Sequence, residues 1–173
     1  IGKKNGAEVP FLRKDYADDF SEVSKATISS LNQAEEYWGK NFPIVTQLMP
    51  NCPNRNEDDI KKSFETFISK KREFQQSCFK FGWMNPWWAI SQEDDGVPRR
   101  LFPKESKMRS QDLPDLYCPS GAIWIANSSK LKLEQTFHSK DLSFEELDWM
   151  AAIDIDDETD LEMAKAARML LID

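Results

Sequence analysis

A chain of 173 residues is long enough to fold as one domain around a proper hydrophobic core. Its net charge of −7 argues against a binder that works by neutralising many nucleic-acid phosphates, and no apolar run approaches the ~20 residues of a membrane span or opens the chain as a signal peptide. Cys52, Cys78 and Cys118 are widely spaced, odd in number and without a CxxC pair, which excludes a zinc or disulfide framework and makes a reducing cytoplasm the simplest setting.

The first strand candidate, "AEVPFL", comes almost at once. "GKKNG" at 2–6 clusters glycine and lysine, but no strand precedes it, so it is a weak phosphate loop. Residues 24–38 place Ala26, Ile28, Leu31, Ala34 and Trp38 at helical spacing, and "FPIVTQLM" (42–49) is a short apolar run bounded by prolines, so a helix feeds a buried strand. A second helix is predicted over 56–71, with Asn56 as cap, Ile60, Phe64, Phe67 and Ile68 on one face and lysines at its C-terminus. "FQQSCFKFGW" reads as a strand. "NPWWAISQEDDGVPRRLFPK" reads as a hairpin or arm with its turn at Asp95-Gly96. The aromatic cluster Phe79, Phe81, Trp83, Trp87 and Trp88 suits a stacking platform for bases or a packed subunit interface, and the acidic net charge favours the interface. "SGAIWIA" (120–126) is a further strand. The single histidine, His138, falls in the polar segment "EQTFHSKDLSFEE" and reads as a surface residue.

The chain closes with "AAIDIDDETDLEMAKAARMLL" (151–171), which reads as strand, acidic turn and helix. In a strand, Ile153 and Ile155 would point to the core while Asp154 and Asp156 project together, ~7 Å apart, a spacing that suits one divalent cation. Asp157 is a good N-cap, and the acids from Asp156 to Asp160 equally favour a helix N-terminus by charge. Asp154 precedes that helix and escapes the second explanation. Alternation of strands and helices predicts an α/β domain with a mainly parallel sheet flanked by helices.

Four stretches, in this order, resemble the CMP-sialic acid synthetases, the acylneuraminate cytidylyltransferases. "GAEVPFLR" (6–13) is similar to the segment ahead of that family's nucleotide-contacting region, and "LMPNCPNR" (48–55) to its "LQPTSPLR" strand end. "RSQDLPDLYCPSGAIWI" (109–125) is similar to its "RQDLPxxYRxNGAIYI", and "AIDIDDETDL" (152–161) to its "SIDIDTExDL". The resemblance implies a Rossmann-like nucleotidyltransferase domain spanning 1–173, with a dimerisation and sugar-site arm at about 83–110. It also implies an Mg²⁺-dependent enzyme that joins CTP to a nonulosonic sugar acid, giving a CMP-sugar and pyrophosphate; Trp83, Trp87 and Trp88 on the hairpin predict a homodimer, and charge and hydropathy predict neither nucleic acid nor membrane as partner. Asp154 and Asp156 then stand as catalytic metal ligands, and Arg13 and Ser24 as nucleotide-side residues. Arg55, after the "PNCPN" turn, is a third anion candidate or a structural arginine. Arg109 and Gln111 are the candidates for the sugar carboxylate, with Tyr117 framing that pocket.

The departures from the family pattern carry expectations of their own. No counterpart of its phosphate-cradling "PARxGSKGLPxKN" loop occurs in residues 1–173, so a segment of ~30 residues or more is expected ahead of Ile1, and the 173 residues alone are expected to have little activity. Met49 stands for a sugar-facing Gln, Asn51-Cys52 for Thr-Ser, and Trp87-Trp88 where a lysine is common, so a related acidic sugar fits at least as well as sialic acid. The rival expectation is an inactive family member that serves as a binding or assembly subunit.

Overall fold

The computed structural model describes residues 1–171. A four-stranded sheet in the order β1 (Ile44–Gln47), β5 (Tyr117–Asn127), β2 (Phe74–Lys80), β6 (Leu142–Glu146) forms its centre. Helices α1 (Val23–Trp38) and α3 (Ser128–Glu134) cover one face and α2 (Glu57–Ser69) the other; α4 (Glu158–Leu171) follows the acidic turn. Strand alternation separates two cores. Ile44 and Ile125 join Phe67 and Ile60 of α2, whereas Val45, Trp124 and Ala126 join Ile28 of α1 and Leu131 of α3.

The sheet is mixed, which corrects the mainly parallel expectation. Among the described residues only β2 and β6 pair in parallel; β5 runs antiparallel to both β1 and β2. The cause is the connection between β2 and β5, which leaves and re-enters at the same end of the sheet, where the Phe81 N–H donates to the Leu116 carbonyl at 2.9 Å. Such a return forces antiparallel pairing, and hydrophobic periodicity carries no information about direction.

Residues 83–110 lie between β2 and β5 and carry a hairpin. The hairpin pairs β3 (Ile90–Gln92) with β4 (Pro98–Arg100), and Gly96 takes the positive φ of 71° that the turn requires. Trp87 turns inward, donating its indole N–H to the Pro114 carbonyl at 2.9 Å and meeting Phe102 edge-on. Trp83 and Trp88 remain exposed with Met84, Ile90 and Leu101.

Two expected strands do not form. "AEVPFL" is irregular and is strapped to α1 instead, since Gln33 accepts from the Lys14 N–H at 3.1 Å and donates to the Leu12 carbonyl at 3.1 Å. "AAIDID" begins as a turn around Asp148 and then makes one backbone hydrogen bond, Ile155 N–H to the Asn51 carbonyl, too few for a strand. Strand β6 lies in the polar segment 134–146, where no strand is predicted. The reason is that Glu145 of β6 serves a partly buried polar network: Arg72 bridges it at 2.9 Å and also donates to Gln75 at 2.7 Å, while Thr66 donates to the other oxygen of Glu145.

Both long-range helix starts were legible. Asn56 caps α2 through the N–H groups of Asp58 and Asp59, with Asp59 reciprocating in a capping box. Asp157 does the same for α4: its carboxylate accepts from Thr159 at 2.7 Å and Asp160 at 3.0 Å, and its own N–H donates to Asp160 at 3.2 Å. Asp157→Ala should therefore cost about 1 kcal/mol in urea unfolding and Asp157→Asn only a few tenths, because Asn caps about as well as Asp.

Candidate active site

Beyond β1 the chain folds into a compact loop over residues 48–55. Met49 lies so close to β5 that a Cβ on Gly121 would sit 2.5 Å from the Met49 sulfur, so the glycine permits this approach. Arg55 turns back into its own loop, donating to the Met49 carbonyl at 2.7 Å and to the Cys52 carbonyl. Burial lowers the pKa of Arg55, but an arginine remains charged under such a shift. Cys52 is completely buried, in one cluster with Phe67, Ile123, Ile125, Leu147 and Ala152.

The acidic segment is fastened to this loop at three points. Ile155 N–H donates to the Asn51 carbonyl at 2.9 Å, Cys52 Sγ donates to Asp154 Oδ1 at 3.6 Å, and Asn54 Nδ2 donates to the Ala164 carbonyl of α4 at 2.9 Å. The predicted alternation survives although the strand does not. Ile153 and Ile155 pack with Ala164 and Ala167, while Asp154 and Asp156 are exposed beyond the C-terminal end of β1. Open α/β sheets bind ligands at such strand ends.

Asp154 is exposed as a residue but turns one oxygen inward. Desolvation of that side raises its pKa, the Cys52 S–H pulls against the rise, and the charges of Asp156 and Asp160 add to it. Burial first, and the Asp154 carboxylate next, push the Cys52 thiol up to about 12, so it is S–H at neutral pH and acts as donor. Among the described residues no three His, Cys, Asp or Glu side chains converge as a metal cage. A divalent cation held by Asp154 and Asp156 would complete its shell with water and phosphate oxygens, the coordination Mg²⁺ prefers. The donor set fits that ion.

The remaining predicted residues are distributed around this centre. Arg109 is exposed and forms a two-pronged pair with Asp112 at 2.7 and 3.0 Å; Gln111 shares its turn, and Tyr117 opens β5 half-exposed, four residues before Gly121. Ser24 is buried, and its hydroxyl accepts from the Phe137 N–H at 3.1 Å, tying the first turn of α1 to the segment before β6. Arg13 is exposed on the segment strapped to α1. Among the described residues no hydrogen bond or ion pair joins Arg13 or Ser24 to the aspartates. Cys52 and Asn54 escaped prediction as site-shaping residues. Their signal, a turn-rich "PNCPN", announces a loop but not its burial.

No protein-family profile matches the chain. It is similar to the pseudaminic acid cytidylyltransferase of Campylobacter jejuni subsp. jejuni serotype O:2, 30% identical over 167 residues that cover 95% of this chain and 71% of that protein. The pseudaminic acid cytidylyltransferase of serotype O:23/36 is 29% identical over the same shares. The class is that of the cytidylyltransferases. Within it, the chain belongs to the acylneuraminate cytidylyltransferase family, the CMP-nonulosonic acid synthetases.

The raised pKa of Asp154 has a consequence for stability. A carboxyl whose folded pKa lies above the ordinary 3.8 weakens the fold as pH rises through the folded value, and the penalty vanishes at low pH where the group is protonated in both states. In EDTA, Asp154→Asn should melt at or above the parent temperature at pH 7, and the two curves should converge below about pH 4. A variant that melts lower at pH 7 would contradict this electrostatic picture.

Proposed function

We propose that the chain acts as an Mg²⁺-dependent cytidylyltransferase that joins CTP to an acidic nonulosonic sugar, pseudaminic acid or a close relative, for cell-surface glycan synthesis in the cytoplasm. Residues 1–173 are one catalytic domain in this reading, with 83–110 as its dimerisation arm. The observation that carries it is the Asp154–Asp156 pair, exposed beyond β1 and fastened to the 48–55 loop. The relatives named for pseudaminic acid support the sugar class.

In the reaction a sugar hydroxyl attacks the α-phosphorus of CTP, a new P–O bond forms, and the bond to pyrophosphate breaks. Asp154 and Asp156 would hold Mg²⁺, which when bound offsets charge on the phosphate oxygens. The protein's own contribution is placement. Arg109 can exchange the Asp112 carboxylate for that of the sugar at small cost, because an exposed ion pair is worth only about 0–1 kcal/mol. Gln111 and Tyr117 flank that exchange. Arg13 supplies an exposed guanidinium for the nucleotide phosphates. Ser24 and Arg55, whose polar groups are already engaged within the protein, act by fixing α1 and the 48–55 loop.

Full-length enzyme given CTP, Mg²⁺ and a panel of nonulosonic acids should release pyrophosphate with at least one of them. Asp154→Asn should lower turnover roughly a hundredfold, the scale of losing one preorganised electrostatic contact, and should shift the Mg²⁺ titration. Silence across the panel would favour a binding or assembly subunit, and an unchanged rate and titration for Asp154→Asn would remove the metal assignment.

The arm supports a homodimer in the same reading. A two-stranded hairpin is marginal by itself, and here Trp83, Met84, Trp88, Ile90 and Leu101 are exposed on or beside it. Sedimentation should give twice the monomer mass. Trp83→Ser combined with Trp88→Ser should yield monomers without loss of fold, and a parent protein that stays monomeric at high concentration would count against the dimer.

A further inference from the structure

We propose that the buried thiol of Cys52 is a positioning residue for Asp154: it grips Oδ1 from inside the core and thereby presents Oδ2 outward to a divalent cation. The inference rests on the reading that Asp154 is a metal ligand and names what holds that ligand in place. An exposed aspartate ordinarily swings about its last torsion, whose preferences are broad. A single donor fixed in space removes that freedom.

Cys52 meets the requirement of fixity. Its side chain is completely buried, packed with Phe67, Ile123, Ile125, Leu147 and Ala152, so the sulfur cannot follow a moving carboxylate. Its backbone is equally constrained, since Arg55 donates to the Cys52 carbonyl and to that of Met49. The acceptor is held from its own side by the bond from Ile155 N–H to the Asn51 carbonyl, one residue from each partner of the thiol contact. Asn54, two residues beyond the thiol, fastens the same loop to α4. Donor and acceptor therefore ride on segments locked on both sides of the 3.6 Å contact.

The chemistry of the donor suits the task. A thiol is tolerated in an apolar cluster better than a hydroxyl, and as a weak donor it orients the carboxylate without satisfying it. The carboxylate keeps its capacity to bind a cation. Groups that hold ligating carboxylates in this way cost roughly 10–100-fold in metal affinity when removed.

The test measures Mn²⁺ binding by water-proton relaxation in the full-length protein without substrates, beside thermal unfolding. Cys52→Ala should weaken Mn²⁺ binding about tenfold. Cys52→Ser, which restores a donor, should recover most of the loss, whereas Cys52→Val, which keeps volume without a donor, should not. The valine variant also serves if the alanine variant fails to fold. A lower melting temperature with parental Mn²⁺ affinity in the alanine or valine variant would overturn the inference and leave Cys52 as packing alone, as would serine and alanine variants that lose affinity equally. Asp154→Asn separates the two levels: if it abolishes Mn²⁺ binding while the Cys52 variants bind normally, only the positioning role fails. If it binds Mn²⁺ as the parent does, the metal reading beneath it fails too.

Discussion

The bond from Ile155 N–H to the Asn51 carbonyl joins two segments that are far apart in the chain and gives the candidate site its shape. Without it the loop after β1 and the acids before α4 would be joined by side chains alone. With it, Ile153 and Ile155 stay seated against Ala164 and Ala167, and their neighbours Asp154 and Asp156 are turned outward by alternation alone. One backbone contact does here what a full strand would have done with several. The price is that side chains must finish the task, which is the part played by Cys52 and Asn54.

The rest of the fold supplies a rigid floor for that junction. Apolar side chains fill both faces of the sheet, and two of the polar side chains that enter find partners there: Gln75 donates to the Ser63 carbonyl at 2.9 Å and accepts from Arg72, and Ser77 meets Ser120 at 2.8 Å. Such pairs specify register, because a shift of one residue would bury them unpaired. The 48–55 loop rests on β5 where Met49 meets Gly121.

Much of this was legible in the residues, and what was not has physical causes. Helices α1, α2 and α4 announced themselves because spacing and caps are local properties, and Asn56 and Asp157 cap where their side-chain chemistry suggests. The acidic pair was legible by the same alternation, although "AAIDID" lacks the partner strand that a ladder needs. Strand β6 stayed hidden because the value of Glu145 depends on Arg72, distant in sequence. The inward turn of Arg55 and the burial of Ser24 were likewise invisible, since an arginine after a turn and a serine at a helix start look the same whether they face solvent or a backbone group of their own chain.

The closed neck of the arm sets what the family scaffold can tolerate in that region. Because Phe81 and Leu116 are joined by a backbone bond and Lys80 stands opposite Tyr117, the sheet ends cleanly before the excursion starts. Insertion or exchange of residues in between leaves the register of β2 and β5 untouched, and each doubling of the excursion's length costs only about 0.6 kcal/mol in closure entropy. The neck is thus a graft point: the segment that carries the sugar candidates Arg109 and Gln111 leaves and returns there, so it can be exchanged as a cassette while Asp154 and Asp156, outside it, keep their geometry.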